Sequence, residues 1–128
     1  MKFSFDKQEK FVCFSIQEDK LNSLMAPELK TEMVLLNAEG FRNIILDMTN
    51  VAFIDSSGLS SILIANRLCK NDNGSFVMTC VNESVMKLIK ISQLDGILTI
   101  LPTVSEASDF ILIEEIERGL KEDSGDDQ

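Results

Sequence analysis

Asp55-Ser56-Ser57-Gly58-Leu59 is the stretch whose residue types could do chemistry: a carboxylate, two adjacent hydroxyls and a glycine. An apolar, strand-like run, Val51-Ala52-Phe53-Ile54, leads into it, and a helical pattern from Ser60 to Cys69 leads out. Asp55, Ser56 and Ser57 carry short polar side chains suited to accepting hydrogen bonds from the free N–H groups of a helix start. Of these, Ser57 is expected to be the better placed to cap the helix. Gly58 is expected to let the backbone turn sharply and to leave the helix mouth sterically open. The pattern presents a hydroxyl pair at the positive end of a helix dipole, where an anionic group is tolerated. The chemistry it offers is acceptance of a phosphate. Taken alone, Asp-Ser-Ser-Gly marks only a turn and an N-cap.

Catalysis would need parts that the chain lacks. A serine nucleophile requires a base, and with no histidine in the sequence the usual triad cannot be built. No Ser-x-x-Lys occurs at this loop, and Gly-x-Ser-x-Gly, Gly-x-x-x-x-Gly-Lys and Gly-x-Gly-x-x-Gly are absent. Asp55 could imitate a receiver-type phospho-aspartate, but the last strand candidate, Ile97-Leu98-Thr99-Ile100-Leu101, has no lysine to accompany it. The reading is therefore a binding protein, with no catalytic residues, no metal site and no cofactor of its own.

Composition narrows the partners. The 128 residues make one domain, and 45% apolar content allows a real core. Twelve basic against 21 acidic residues give a net charge of −9, which repels nucleic acid and anionic membranes. Cys13, Cys69 and Cys80 are odd in number and scattered, as suits reduced thiols in the cytoplasm. Charged residues at the N-terminus exclude a signal-peptide core, and no apolar run approaches bilayer length. No nucleic acid and no membrane insertion are expected.

The elements that must position the loop follow in order. Residues 2–6 and 10–17 read as strands, the second with apolar residues in both of its alternating sets, hence covered on both faces. Glu18 to Ser23 read as a polar loop, and Pro27 fits the first turn of a helix carrying Leu29, Met33 and Leu36 and stopped by Gly40. Ile44-Ile45-Leu46 is the best buried strand. The helix after the serines should reach about Lys70, and Asn71-Asp72-Asn73-Gly74 is a turn before a strand at 75–80. Asn82 caps a helix with Val85, Leu88 and Ile89; residues 97–101 make a last strand, and Thr103-Val104-Ser105-Glu106 is a capping box opening the final helix. From Glu114 the charges cluster, and residues 121–128 read as a solvated, disordered tail. Strands alternating with helices imply an α/β fold with a partly parallel sheet.

The segment from Asn43 through Ile44-Ile45-Leu46-Asp47 to Asp55-Ser56-Ser57-Gly58-Leu59 resembles the central signature of the STAS domain family, and the likeness continues through Asn82–Ser92 into the final helix. It covers roughly residues 3–113, leaving 114–128 as the helix end and acidic tail, and it is similar above all to the bacterial anti-sigma factor antagonists. The resemblance implies a single layer of mixed, partly parallel sheet with about four helices packed on it. It also implies Ser56 as phospho-acceptor, within a switch loop of Asp55, Ser57, Gly58 and Asn22. Asn22 stands where many members carry an acidic residue, with Asp19 nearby. Asp55 would orient Ser56 or simply cap the helix. The implied partners are an anti-sigma factor that is also a serine kinase, binding ATP and magnesium itself, and a phosphatase that resets the switch. The alternative is a STAS subunit of another assembly, either a stress-signalling complex or a lipid- or anion-transport complex.

A helical wheel from Leu59 places Ile62, Leu63, Asn66 and Cys69 around that residue as the core stripe. Ile64 and Leu68 then fall opposite, adjacent on the helix surface, with Ser60 and Ser61 toward the helix start. Leu59, Ser60, Ser61, Ile64 and Leu68 are accordingly the expected partner-binding residues around Ser56.

Overall fold

Two Phe-containing segments near the N-terminus, β1 (Phe3–Lys7) and β2 (Val12–Ile16), form an antiparallel hairpin in the computed structural model, which describes residues 1–125. β2 then pairs in parallel with β4 (Ile44–Asp47), β4 with β6 (Phe76–Thr79), and β6 with β7 (Thr99–Leu101). The sheet order is β1-β2-β4-β6-β7. Each parallel neighbour needs a crossover. These are supplied by α1 (Ala26–Ala38), α2 (Ser56–Asn71) and α3 (Glu83–Ile91), and the chain ends in α4 (Val104–Gly125).

The alternation within β2 is read out as expected. Val12, Phe14 and Ile16 are fully buried on one face with Leu29, Met33 and Leu36 of α1, Leu59, Ile62 and Cys69 of α2, and Val85 and Ile89 of α3. Phe11 and Cys13 pack on the other face, where Ile45 and Val77 meet Ala107 and Ile111 of α4. The fold is α/β: one mixed, mostly parallel sheet layer carrying four helices.

Polar groups fasten α4 to the sheet. Arg42 donates from Nε and Nη2 to the two carboxylate oxygens of Glu115 at 3.2 and 2.8 Å, and Arg118 adds a bond at 2.9 Å. Asn43 also donates to Glu115, and its own Oδ1 accepts from the Ser75 amide at 2.8 Å. Burial raises the pKa of Glu115, but the bonds from Arg42, Asn43 and Arg118 outweigh it and hold the carboxyl at about 2.

Three expectations are corrected. The supposed loop Glu18–Ser23 contains a short strand, β3 (Lys20–Leu21), paired in parallel with β5 (Phe53–Ile54) as a separate two-stranded sheet. A single apolar residue, Leu21, anchors it at zero exposure. The last strand begins at Thr99 rather than Ile97: Ile97 is exposed and Leu98 buried in the turn that precedes it. Helix α4 continues to Gly125, through residues read as tail, and 126–128 lie outside the described residues.

Candidate functional site

The parallel pairing of Leu21 with Ile54 brings two loops together at one end of the molecule. The carbonyl of Leu21 accepts a hydrogen bond from the Asp55 amide at 3.3 Å, and the Asp19 carbonyl accepts from Ala52 and Phe53. Asp55 is thereby placed as the N-cap of α2. Its backbone is extended (φ −108°, ψ −174°), and its Oδ1 accepts from the Gly58 amide at 2.9 Å. The first helical bond, Leu59 N–H to Asp55 carbonyl at 2.9 Å, follows directly.

Ser56 is thus the first residue of the helix and Ser57 the second. The cap is Asp55, so Ser57 is not the capping residue that the sequence suggested. Asp55 takes the Gly58 amide, and the amides of Ser56 and Ser57, at the positive end of the helix, have no acceptor among the described residues. Ser56 is exposed, and its Oγ makes no hydrogen bond among the described residues.

Gly58 serves a different purpose from a sharp turn. It lies inside the first helical turn, and a Cβ there would sit 2.2 Å from the Leu21 carbonyl oxygen. The glycine is required because β3 crosses against the helix at that point. Asn22 stands one step beyond the β3–β5 pairing, beside Asp55 in register. Its Oδ1 accepts from the Leu24 amide at 3.0 Å and its carbonyl from Met25 and Ala26, so it shapes the entry to α1.

The wheel requires a correction. Gly58, Leu59, Ser61, Ile62, Ala65, Asn66 and Cys69 are the buried residues of α2, so the covered arc centres on Ile62 and Cys69 rather than on Leu59. Leu59 is 6% and Ser61 3% exposed, and Ser61 Oγ donates to the Gly58 carbonyl. Neither presents a side chain to a partner. Leu68 is half-buried and packs against the core at the edge of the arc; Leu63 is half-buried as well. Ile64 is half-buried in an open groove between α1 and α2, with Ser57, Ser60, Pro27 and Lys30 around it. In line with Ser56 at helical spacing are Ser60, Leu63 and Arg67, of which Ser60 and Arg67 are exposed. Leu63, which the wheel put in the core stripe, does pack against the core as a partly buried residue, whereas exposed Arg67 was not singled out because the wheel was turned to the wrong centre. Leu24, 80% exposed at the entry to α1, and Phe53, 56% exposed just before the loop, are further exposed apolar side chains that a wheel confined to α2 does not cover. For Phe53 the available signal was strand alternation, since Ile54 packs inward and its neighbour Phe53 cannot.

The described residues thus form an α/β domain that offers an exposed serine at the start of α2. The described residues hold no cluster of three metal-ligating side chains, and no helix of theirs is long and apolar enough to cross a membrane. The model of the STAS domain family matches residues 2–107, and the chain belongs to that family. It is a binding module rather than an enzyme. Among its relatives is BtrV of Bordetella bronchiseptica, which is named as a candidate anti-sigma factor antagonist. The two are 27% identical over 105 residues, 82% of this chain and 87% of that protein. The crystal structure of TM1081 from Thermotoga maritima, named in the same way, has a TM-score of 0.78 at 26% identity and covers 85% of this chain and 93% of its own. SpoIIAA, an anti-sigma factor antagonist solved in its unphosphorylated form, has a TM-score of 0.74 at 19% identity over 86% of this chain and 96% of its own. That is a likeness of fold.

Proposed function

We propose that this chain is a cytoplasmic anti-sigma factor antagonist switched by phosphorylation of Ser56. Unphosphorylated, it binds an anti-sigma factor with serine kinase activity and so frees a sigma factor. Phosphorylated by that partner, which binds the ATP and magnesium, it lets go until a phosphatase restores the serine. The observation that carries the reading is the exposed, unengaged Ser56 hydroxyl on the first turn of α2, with the cap assigned to Asp55 instead. The names of the relatives supply the class of partner.

Phosphate adds about −1.5 to −2 charge and three acceptor oxygens at that point. The open amides of the helix start stabilise the charge, so the fold tolerates it. A partner surface shaped around a neutral hydroxyl meets bulk and desolvated charge. A penalty of about 2.8 kcal/mol weakens binding about a hundredfold.

The test is incubation with the cognate anti-sigma factor kinase, ATP and magnesium, followed by mass spectrometry of peptides. Phosphate on Ser56 is expected. Phosphate confined to Ser57, or none with a kinase active on a control, overturns the assignment. Ser56→Ala should bind that kinase constitutively, and Ser56→Asp should bind weakly with an unchanged circular dichroism spectrum.

A further inference from the structure

The outward side of α4 carries a second apolar face that the fold does not use. Leu112, Ile113, Ile116 and Leu120 are 43%, 56%, 63% and 62% exposed. Single exposed apolar residues need no explanation, but these four form one contiguous stripe. Ile113, Ile116 and Leu120 are spaced by three and four residues, the seam that packs against another helix. The opposite side of the same helix is already spent: Ala107 and Ile111 are fully buried on the sheet, and Glu115 and Arg118 bond to Arg42, Asn43 and Ser75. Those bonds hold the helix in place, so the stripe is presented without an ordering cost. All four lie beyond residue 107, where the family match ends.

Charge decides the occupant. The exposed ionisable residues along this face and its rims up to residue 120 are Glu106, Asp109 and Glu117, while Arg118 is turned inward to Glu115. Lys121 alone is basic at the far end. A second copy would set acidic rims against acidic rims, with a net charge of −9 on each chain. We infer that α4 is a docking surface for an α-helix of a partner protein whose apolar stripe is flanked by lysine or arginine. This surface is separate from Ser56, so the inference stands or falls independently of the switch.

The test uses the full chain and two synthetic helical peptides with leucine at the seam positions, one with lysine flanks and one with glutamate flanks. Fluorescence anisotropy should show the lysine peptide binding, more weakly as salt rises, and the glutamate peptide not binding. Ile116→Gln with Leu120→Gln should weaken the lysine peptide by about tenfold or more while the melting temperature holds. Asp109→Lys with Glu117→Lys, which leaves the stripe intact, should transfer preference to the glutamate peptide. Equal binding of the lysine peptide to the native and double-glutamine chains would overturn the inference, since it would report bulk charge alone. Two other results overturn it in favour of another occupant: a dimer in sedimentation that the glutamine pair dissolves, or stripe-dependent binding to phosphatidylcholine vesicles.

Discussion

Replacing Gly58 by alanine sets two physical effects against each other. On helix propensity alone the change is favourable, because alanine is about 1 kcal/mol better than glycine within a helix. The structure opposes it: the new Cβ would lie 2.2 Å from the Leu21 carbonyl oxygen and 3.0 Å from Leu21 Cγ. The obstacle is backbone, so no rotamer change relieves it. Either α2 or β3 must move, and overpacking of this kind costs about 1–3 kcal/mol or more. Displacing β3 also weakens the Leu21 carbonyl bond from the Asp55 amide, worth about 1 kcal/mol. The propensity gain offsets only part of this, leaving a net loss of about 1–3 kcal/mol. For a domain of this size that is roughly 3–10 °C in Tm. Urea and thermal melts followed by circular dichroism read it directly, and phosphorylation by the kinase should slow as well, because the displaced loop carries Ser56. A Gly58→Ala protein as stable as the parent, or more so, would refute the contact argument and leave propensity in charge.

The cap gives a second prediction: Asp55→Ala should cost about 1 kcal/mol, and Asp55→Asn less, in the same melts. Arg67→Ala should leave Tm unchanged but weaken binding to the anti-sigma factor kinase, by isothermal titration, if the face in line with Ser56 is the docking face. A normal Kd would move the partner to the groove beside Ile64. Glu115 has its carboxyl held at about 2, below the ordinary 4.5, so its contribution is full above about pH 4.5 and is lost as pH falls through about 2. That contribution is on the order of 3 kcal/mol, and Glu115→Gln should flatten the acid side of the stability profile between those values. Burial, with Asp72 beside it, pushes the Cys69 thiol up to about 12, so iodoacetamide at pH 8 should modify Cys69 only as fast as the chain opens.

What could be read from residues alone was whatever is written in local pattern. Ile44-Ile45-Leu46, the two-sided β2, Pro27 and Gly40 bounding α1, and Asn82 capping α3 all carry their signal within a few positions, and the structure follows them. Gly40 has φ +99°, and the Asn82 side chain accepts from the Val85 amide at 2.8 Å. The misreadings share a cause. β3 is two residues long, and only its pairing with β5, more than thirty positions later, makes it a strand. The need for Gly58 likewise comes from Leu21, distant in sequence. The wheel on α2 failed because a helix packed on both a sheet and α1 is covered over a wide arc, and the apolar residues alone do not mark its centre. Ser61 and Asn66 sit inside that arc as buried polar residues. The final helix outlasted its expected end because acidic composition was read as disorder.

Under the proposed reading, these same contacts let one loop be both a fixed part of the fold and a switch. The start of α2 is held by the Asp55 carboxylate on the Gly58 amide, by Leu21 against Asp55, and by the fit of Gly58 under the Leu21 carbonyl. None of the three uses the Ser56 hydroxyl. A group added at Ser56 therefore removes no native hydrogen bond and displaces no buried side chain, and its charge falls where two amides are open to receive it. Had Ser56 or Ser57 been the cap, phosphorylation would have broken the bond that starts the helix, and the modified state would have paid for signalling with stability. Placing the cap one residue earlier keeps the free-energy change of modification at the surface, where a binding partner feels it and the core does not.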